Sequence, residues 1–149
     1  PPDSLDNHMP KCFNMFMTLI PEFDIQRLEP LLTTPALNSP EHKTLAQELQ
    51  KKLKKAHPIT REAVPGSLVT MNSKVCLLDI NSKKKRFVIL GFPQDKNERL
   101  GIISILTDLG IKLLGSSVGD ILELKENGQP VQLKVETIIF QPEAAHVNI

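Results

Sequence analysis

Tryptophan and tyrosine are absent from this chain of 149 residues, which has six phenylalanines as its aromatic side chains. Single-stranded nucleic acids are held by stacking bases on aromatic faces, so that class of binder lacks its platform here. Cysteine is scarce: Cys12 and Cys76 are far apart, match no metal-ligand spacing and make no disulfide framework. They read as reduced thiols of a cytoplasmic protein. Charge of one sign is lacking too, since 18 Lys and Arg against 17 Asp and Glu leave +1. The molecule as a whole is therefore no polyanion binder, and any charge effect is local. No apolar run approaches the ~20 residues that span a bilayer. The stretch after Lys11 is interrupted by Asn14 and Thr18 and has no small-x-small site, so it does not read as a signal peptide.

Catalytic groupings are equally scarce. His8, His42, His57 and His146 fall in expected loops or near element ends, with no cysteine or carboxylate at ligand spacing. There is no phosphate loop, no dinucleotide fingerprint and no nucleophile elbow. Gly-Ser-Ser-Val-Gly-Asp at 115–120 follows a helix instead of opening one, so it reads as a turn. Neither an enzyme nor a cofactor is expected. Two basic clusters, Lys51–Lys55 with Arg61 and Lys83–Arg86, read as a solvated helix end and a solvated turn.

The chain has most pattern between residues 101 and 125. Ile102, Ile103, Ile105 and Leu106 form an apolar run of strand length. Thr107 is placed to cap a short helix with Asp108 in its first turn, and Gly115 stops it. Leu109 and Leu113 share one face. Gly119 turns the chain into a strand where Leu122 and Leu124 alternate with Glu123 and Lys125.

Around this stretch the other elements follow. Residues 1–20 read as a leader, partly flexible, whose apolar part from Cys12 to Ile20 lies over the core. Asp24 is placed to cap a helix through Ile25, Leu28, Leu31 and Leu32, with Pro30 bending it or delaying its start. Ser39 caps a second helix, Pro40 takes its first position, and Leu45, Leu49 and Leu53 with Ala46 and Ala56 stripe it up to His57-Pro58. Two striped helices across a short loop predict an antiparallel hairpin over 21–57, followed by a linker over 58–67. From 68 the pattern alternates. One strand is expected over 68–80 and a central one, buried on both faces, from Phe87 to Phe92. Asn127-Gly128 marks a hairpin leading to Val131, Leu133 and Val135. The fold class is α+β, with an antiparallel sheet of five strands and one short helix over 68–149.

The quoted residues also carry a family resemblance. Leu68-Val-Thr-Met-Asn-Ser-Lys-Val75, Leu109-Gly-Ile-Lys-Leu-Leu-Gly115 with Val118-Gly119-Asp120, Phe140-Gln-Pro-Glu-Ala-Ala145, and Asp24-Ile-Gln-Arg-Leu28 with Leu31-Leu32 resemble the Gre-type transcript cleavage factors, in a short-armed branch. The resemblance spans roughly residues 19–146 and is strongest from 64 onward. It implies a helical arm on an FKBP-like head that binds bacterial RNA polymerase at its secondary channel. It places the contact at Leu106, Thr107, Asp108, Leu109, Gly110 and Lys112, with Thr107, Asp108 and Gly110 exposed and Leu113 buried. The arm tip falls at Pro35, Asn38, Ser39, Pro40 and Glu41. In cleavage factors the tip carries acids that help hold a catalytic Mg²⁺. Here Glu41 stands alone between Thr33 and His42, too little to clamp a hydrated magnesium ion. The resemblance thus implies polymerase binding in competition with longer-armed channel factors, without cleavage, and without membrane or sequence-specific nucleic-acid binding. A prolyl isomerase is the alternative from another class, disfavoured by the missing Trp and Tyr; an adaptor in nucleotide metabolism is a third reading.

Overall fold

The structure, a computed structural model, describes residues 18–33 and 40–147. Expectations for Cys12–Met17, the rest of the leader, and Pro35, Asn38 and Ser39 lie outside them. So does the side chain of Glu41.

Strand β1 (Leu19–Pro21) runs into helix α1 (Glu22–Leu28). The α-helix stops there and the chain continues as a 3-10 segment, Glu29–Thr33, with Pro30 at its second position. The tighter winding takes the proline where a longer α-helix would have lost a hydrogen bond. Asp24 caps nothing: the N-cap is Pro21, and the Asp24 carboxylate is buried within the turn. Helix α2 (Pro40–Lys55) starts on its proline as expected. Leu49 and Leu53 are buried, and Leu45 and Ala56 pack against the core from its edge.

Strand β2 (His57–Ile59) pairs in parallel with β1, a pairing the sequence pattern does not announce. It brings together the two ends of the helical segment. The expected strand over 68–80 shortens to β3 (Lys74–Asp79). Ahead of it Asn72 takes φ 66°, and the Thr70 and Ser73 hydroxyls bond each other instead of entering a ladder. Strands β4 (Lys85–Gly91), β5 (Ile102–Ser104), β6 (Ile121–Glu126) and β7 (Gln129–Phe140) complete the sheet, with helix α3 (Asp108–Leu113) between β5 and β6. The strand order is β5-β4-β3-β7-β6.

Two expectations change here. The sheet is mixed, because β5 lies parallel to β4 while the other pairs are antiparallel. Between β4 and β5 two 3-10 turns, Pro93–Asp95 and Glu98–Leu100, carry the chain back to the same end. And β4 is not buried on both faces, since Phe87 is 55% exposed. The Asn127-Gly128 turn holds: both residues have positive φ, 54° and 78°, the geometry of a two-residue hairpin loop.

The inner sheet face supplies Val75, Leu77, Val88, Leu90, Leu133 and Val135. Ile20, Leu28, Leu49 and Leu53 join the same hydrophobic cluster, so the helical segment and the sheet share one core. Each such side chain, fully buried, stabilises the fold by about 1.5–3 kcal/mol.

Candidate functional site

The residues picked from the sequence cluster where β5 passes into α3. Two hydroxyls fold this corner. The Leu106 N–H donates to Ser104 Oγ at 3.0 Å, and the Thr107 hydroxyl donates to the Ser104 carbonyl at 2.7 Å. Thr107 Oγ1 in turn accepts the Gly110 N–H at 3.0 Å, which is the expected helix cap. Gly110 is buried, against the expectation that it is exposed. A Cβ there would lie 2.3 Å from the Ser104 carbonyl oxygen, so the residue is glycine because the corner folds back against it. Leu106 is 4% exposed and Leu113 wholly buried. Of the six candidates, Asp108 and Lys112 are exposed, Thr107 and Leu109 half-buried, and Leu106 and Gly110 inside.

Asp108 and Lys112 form a surface ion pair at 3.3 Å, a weak contributor to stability. Lys112 also donates to the Glu123 carbonyl of β6, which ties the exposed face of α3 to the sheet. At the other end of the helix, Lys52 reaches over from α2. Its ammonium donates to the carbonyls of Ile111 and, at 3.3 Å, Lys112. A cation on the last carbonyls of a helix suits the dipole. Desolvation by burial nonetheless pulls the Lys52 pKa down to about 8. Lys52 was expected among solvated helix-end lysines; its place three residues after Leu49 and seven after Leu45, on the edge of the apolar stripe, is the signal that separates it from Lys51 and Lys54.

A groove of about 720 Å³ opens beside this corner. Leu106, Thr107 and Asp108 form one wall, His42, Leu45 and Glu48 of α2 the other, and Pro93 and Lys96 close the end. The fold thus sets Leu106, Thr107 and Asp108 beside the first half of α2. Leu109, Gly110 and Lys112 lie outside the groove, and its α2 and Pro93–Lys96 walls were not legible as site residues.

A second polar cluster joins α1 to the chain entering β3. Asp24 accepts the Met71 N–H at 3.0 Å and pairs with Arg27, whose guanidinium lies over Phe23 and Phe92. Burial raises the Asp24 pKa against the opposing pull of Arg27 and Met71, and the nearby Glu143 carboxylate adds to the rise. Glu143 is itself buried and accepts the Thr70 hydroxyl at 2.7 Å. The basic cluster at 83–86 is partly neutralised: Arg86 grips Glu126 with two bonds of 2.8 and 3.0 Å, and Lys85 pairs with Glu136. Cys76 is buried and unpaired. Among the described residues no helix is long and apolar enough to cross a membrane.

A mixed sheet carrying one capped helix at its edge, with a helical segment closing the same core, defines the class of molecule. The family model described as "Transcription elongation factor, GreA/GreB, C-term" matches residues 64–140, and the chain belongs to the GreA/GreB family. It is 30% identical over 128 residues to the regulator of nucleoside diphosphate kinase of Escherichia coli K12, covering 85% of this chain and 92% of that one. It is 28% identical over 95 residues to transcription elongation factor GreA of Thermodesulfovibrio yellowstonii, covering 64% and 60%. The solved structure of a prokaryotic GreA/GreB elongation factor from Nitrosomonas europaea superposes with a TM-score of 0.70 at 30% identity, covering 83% of this chain and 98% of that one. The matched segment contains all six docking candidates. The homologues are named as factors and regulators, and this chain is a transcription-elongation-related regulator by that kinship.

Proposed function

We propose that this protein docks on bacterial RNA polymerase at the rim of the secondary channel and blocks longer-armed family members there, without stimulating transcript cleavage. In this reading residues 21–57 are a short helical hairpin arm, 58–67 a linker, and 68–149 an FKBP-like head. Asp108 and Lys112, with the half-buried Thr107 and Leu109, make the contact. Pro35, Asn38, Ser39, Pro40 and Glu41 form the tip.

The observation that supports it is reach. In α2, Leu49 and Leu53 are already part of the shared core. Leu45 still packs against the core edge, so what precedes it in α2, Pro40 to Thr44, extends about 7–8 Å at ~1.5 Å per residue. Such an arm occupies an entrance and stops short of a distant catalytic centre. Its tip sequence offers one carboxylate, whereas magnesium is held by one or two carboxylates backed by waters and substrate phosphates in a shaped site.

The test is co-purification with core polymerase, with a cleavage factor added as competitor. Retention that falls as the competitor rises is expected. Asp108→Lys reverses the charge of an exposed side chain and should reduce retention while leaving the melting temperature within about 2 °C of the parent. Unchanged retention removes this corner from the interface.

A second reading draws on the name of the Escherichia coli relative, a regulator of nucleoside diphosphate kinase. In it, the chain is an adaptor acting on an enzyme of nucleotide metabolism. Titration of that kinase with the chain, without polymerase, separates the two.

A further inference from the structure

The outer face of the sheet, turned away from the core, concentrates apolar and basic side chains. Val88 and Leu90 of β4 are buried inward, so Phe87 and Ile89 point outward between them. Strand pairing sets Cys76 and then Thr137 beside Phe87, and Lys74 beside Ile89. Ile102 adjoins Ile89 from the other side. Phe87 is 55% exposed and Ile139 51%. Single exposed apolar residues are ordinary; several on one sheet face mark a surface that meets something.

Charge indicates what it meets. Lys85 on this face is paired with Glu136 at 3.0 Å. Lys74 and Lys134 are exposed and have no ion pair among the described residues, and Lys83 and Lys84 add charge at the adjoining turn. The patch therefore has unneutralised positive charge around an apolar centre.

We propose that this face binds an acidic protein segment with aliphatic anchors, laid across β4 and β3 against Phe87. A second copy of the chain fits less well, because both copies would bring the same excess of positive charge to the contact. Single-stranded nucleic acid would satisfy the lysines, but bases stack on accessible aromatic rings, and of the two on this face Phe87 is exposed while Phe140, opposite Lys74, is half-buried. Aliphatic anchors on an acidic segment match both features. The proposal stands apart from polymerase docking, which uses another surface.

The test uses the full chain and a labelled amphipathic peptide of glutamate and leucine, followed by fluorescence anisotropy. Controls are the lysine–leucine counterpart and labelled oligouridylate. The acidic peptide should bind, its affinity should fall with added salt, and the lysine peptide should not bind. Phe87→Asp should weaken binding at least about tenfold, as loss of a central aromatic anchor does. Lys74→Glu should weaken it several-fold and serves if the first variant folds poorly. Absent binding, or binding unchanged in both variants, overturns the proposal. So does oligouridylate binding that both variants abolish while the peptide is ignored. A dimer in sedimentation that Phe87→Asp dissociates assigns the face to a second copy.

Discussion

Lys52 is half-buried, with its ammonium held against the last carbonyls of α3. Its pKa of about 8 in the folded chain stands below the ordinary 10.5. Between those values the unfolded chain binds the extra proton, so unfolding free energy gains a contribution that rises with pH. Below about pH 8 the partly desolvated ammonium is a constant cost. Urea unfolding of the parent and Lys52→Met should show the parent gaining on the variant as pH rises from about 8 to about 10.5. A gap that stays constant or closes would contradict the burial. Asp24 is the opposite case in sign and place. Its pKa is raised, so ionisation costs stability as pH climbs through its folded value, yet the carboxylate still satisfies the Met71 N–H and Arg27. Asp24→Ala strands both partners, and chemical denaturation should report a loss of at least about 2 kcal/mol. Sequence pattern suggested the wrong role for both residues. A lysine at a helix end and an aspartate at a helix start are ordinary surface choices, and what turns them inward lies dozens of residues away.

At the scale of elements, the corner before α3 is held by a cap and a close approach, which differ in cost. Thr107→Ala removes the bond to the Gly110 N–H and should cost about 1 kcal/mol. Gly110→Ala drives a methyl to 2.3 Å from a backbone oxygen and must displace the corner itself. It should lower the melting temperature more than Thr107→Ala, and weaken polymerase retention further than the loss of the Thr107 contact alone. Equal effects would mean that the corner yields easily. Local chemistry made much of this legible: the Thr107 cap, the Pro40 start, the leucine stripe of α2 and the Asn127-Gly128 turn each carry their signal within a few residues. The parallel pairs β1 with β2 and β4 with β5 do not. They are three residues long and joined by long crossovers, so no short pattern encodes them.

For the whole molecule, the consequence of one core shared by helices and sheet is limited reach. Added to backtracked polymerase complexes, the protein should release no short 3′ RNA, and it should slow release by a cleavage factor in proportion to its concentration. Efficient release would restore a catalytic role to Glu41. The site is a joint product of segments distant in sequence. Residues 106–112 were identifiable by motif, but their division into exposed Asp108 and Lys112 and buried Leu106 and Gly110 depends on the chain folding back onto Ser104. The groove wall from α2 exists because Leu49 and Leu53 anchor that helix on the same core.

Periodicity, caps and turn residues by themselves marked α2, α3 and most strands of the main sheet, and motif resemblance marked the family, because those signals lie within a few neighbouring residues. Which carbonyls Lys52 meets, which phenylalanine faces water and which strand runs parallel were settled by tertiary packing. Burial is a property of what arrives from elsewhere in the chain, and free energy is lowered by the whole core at once.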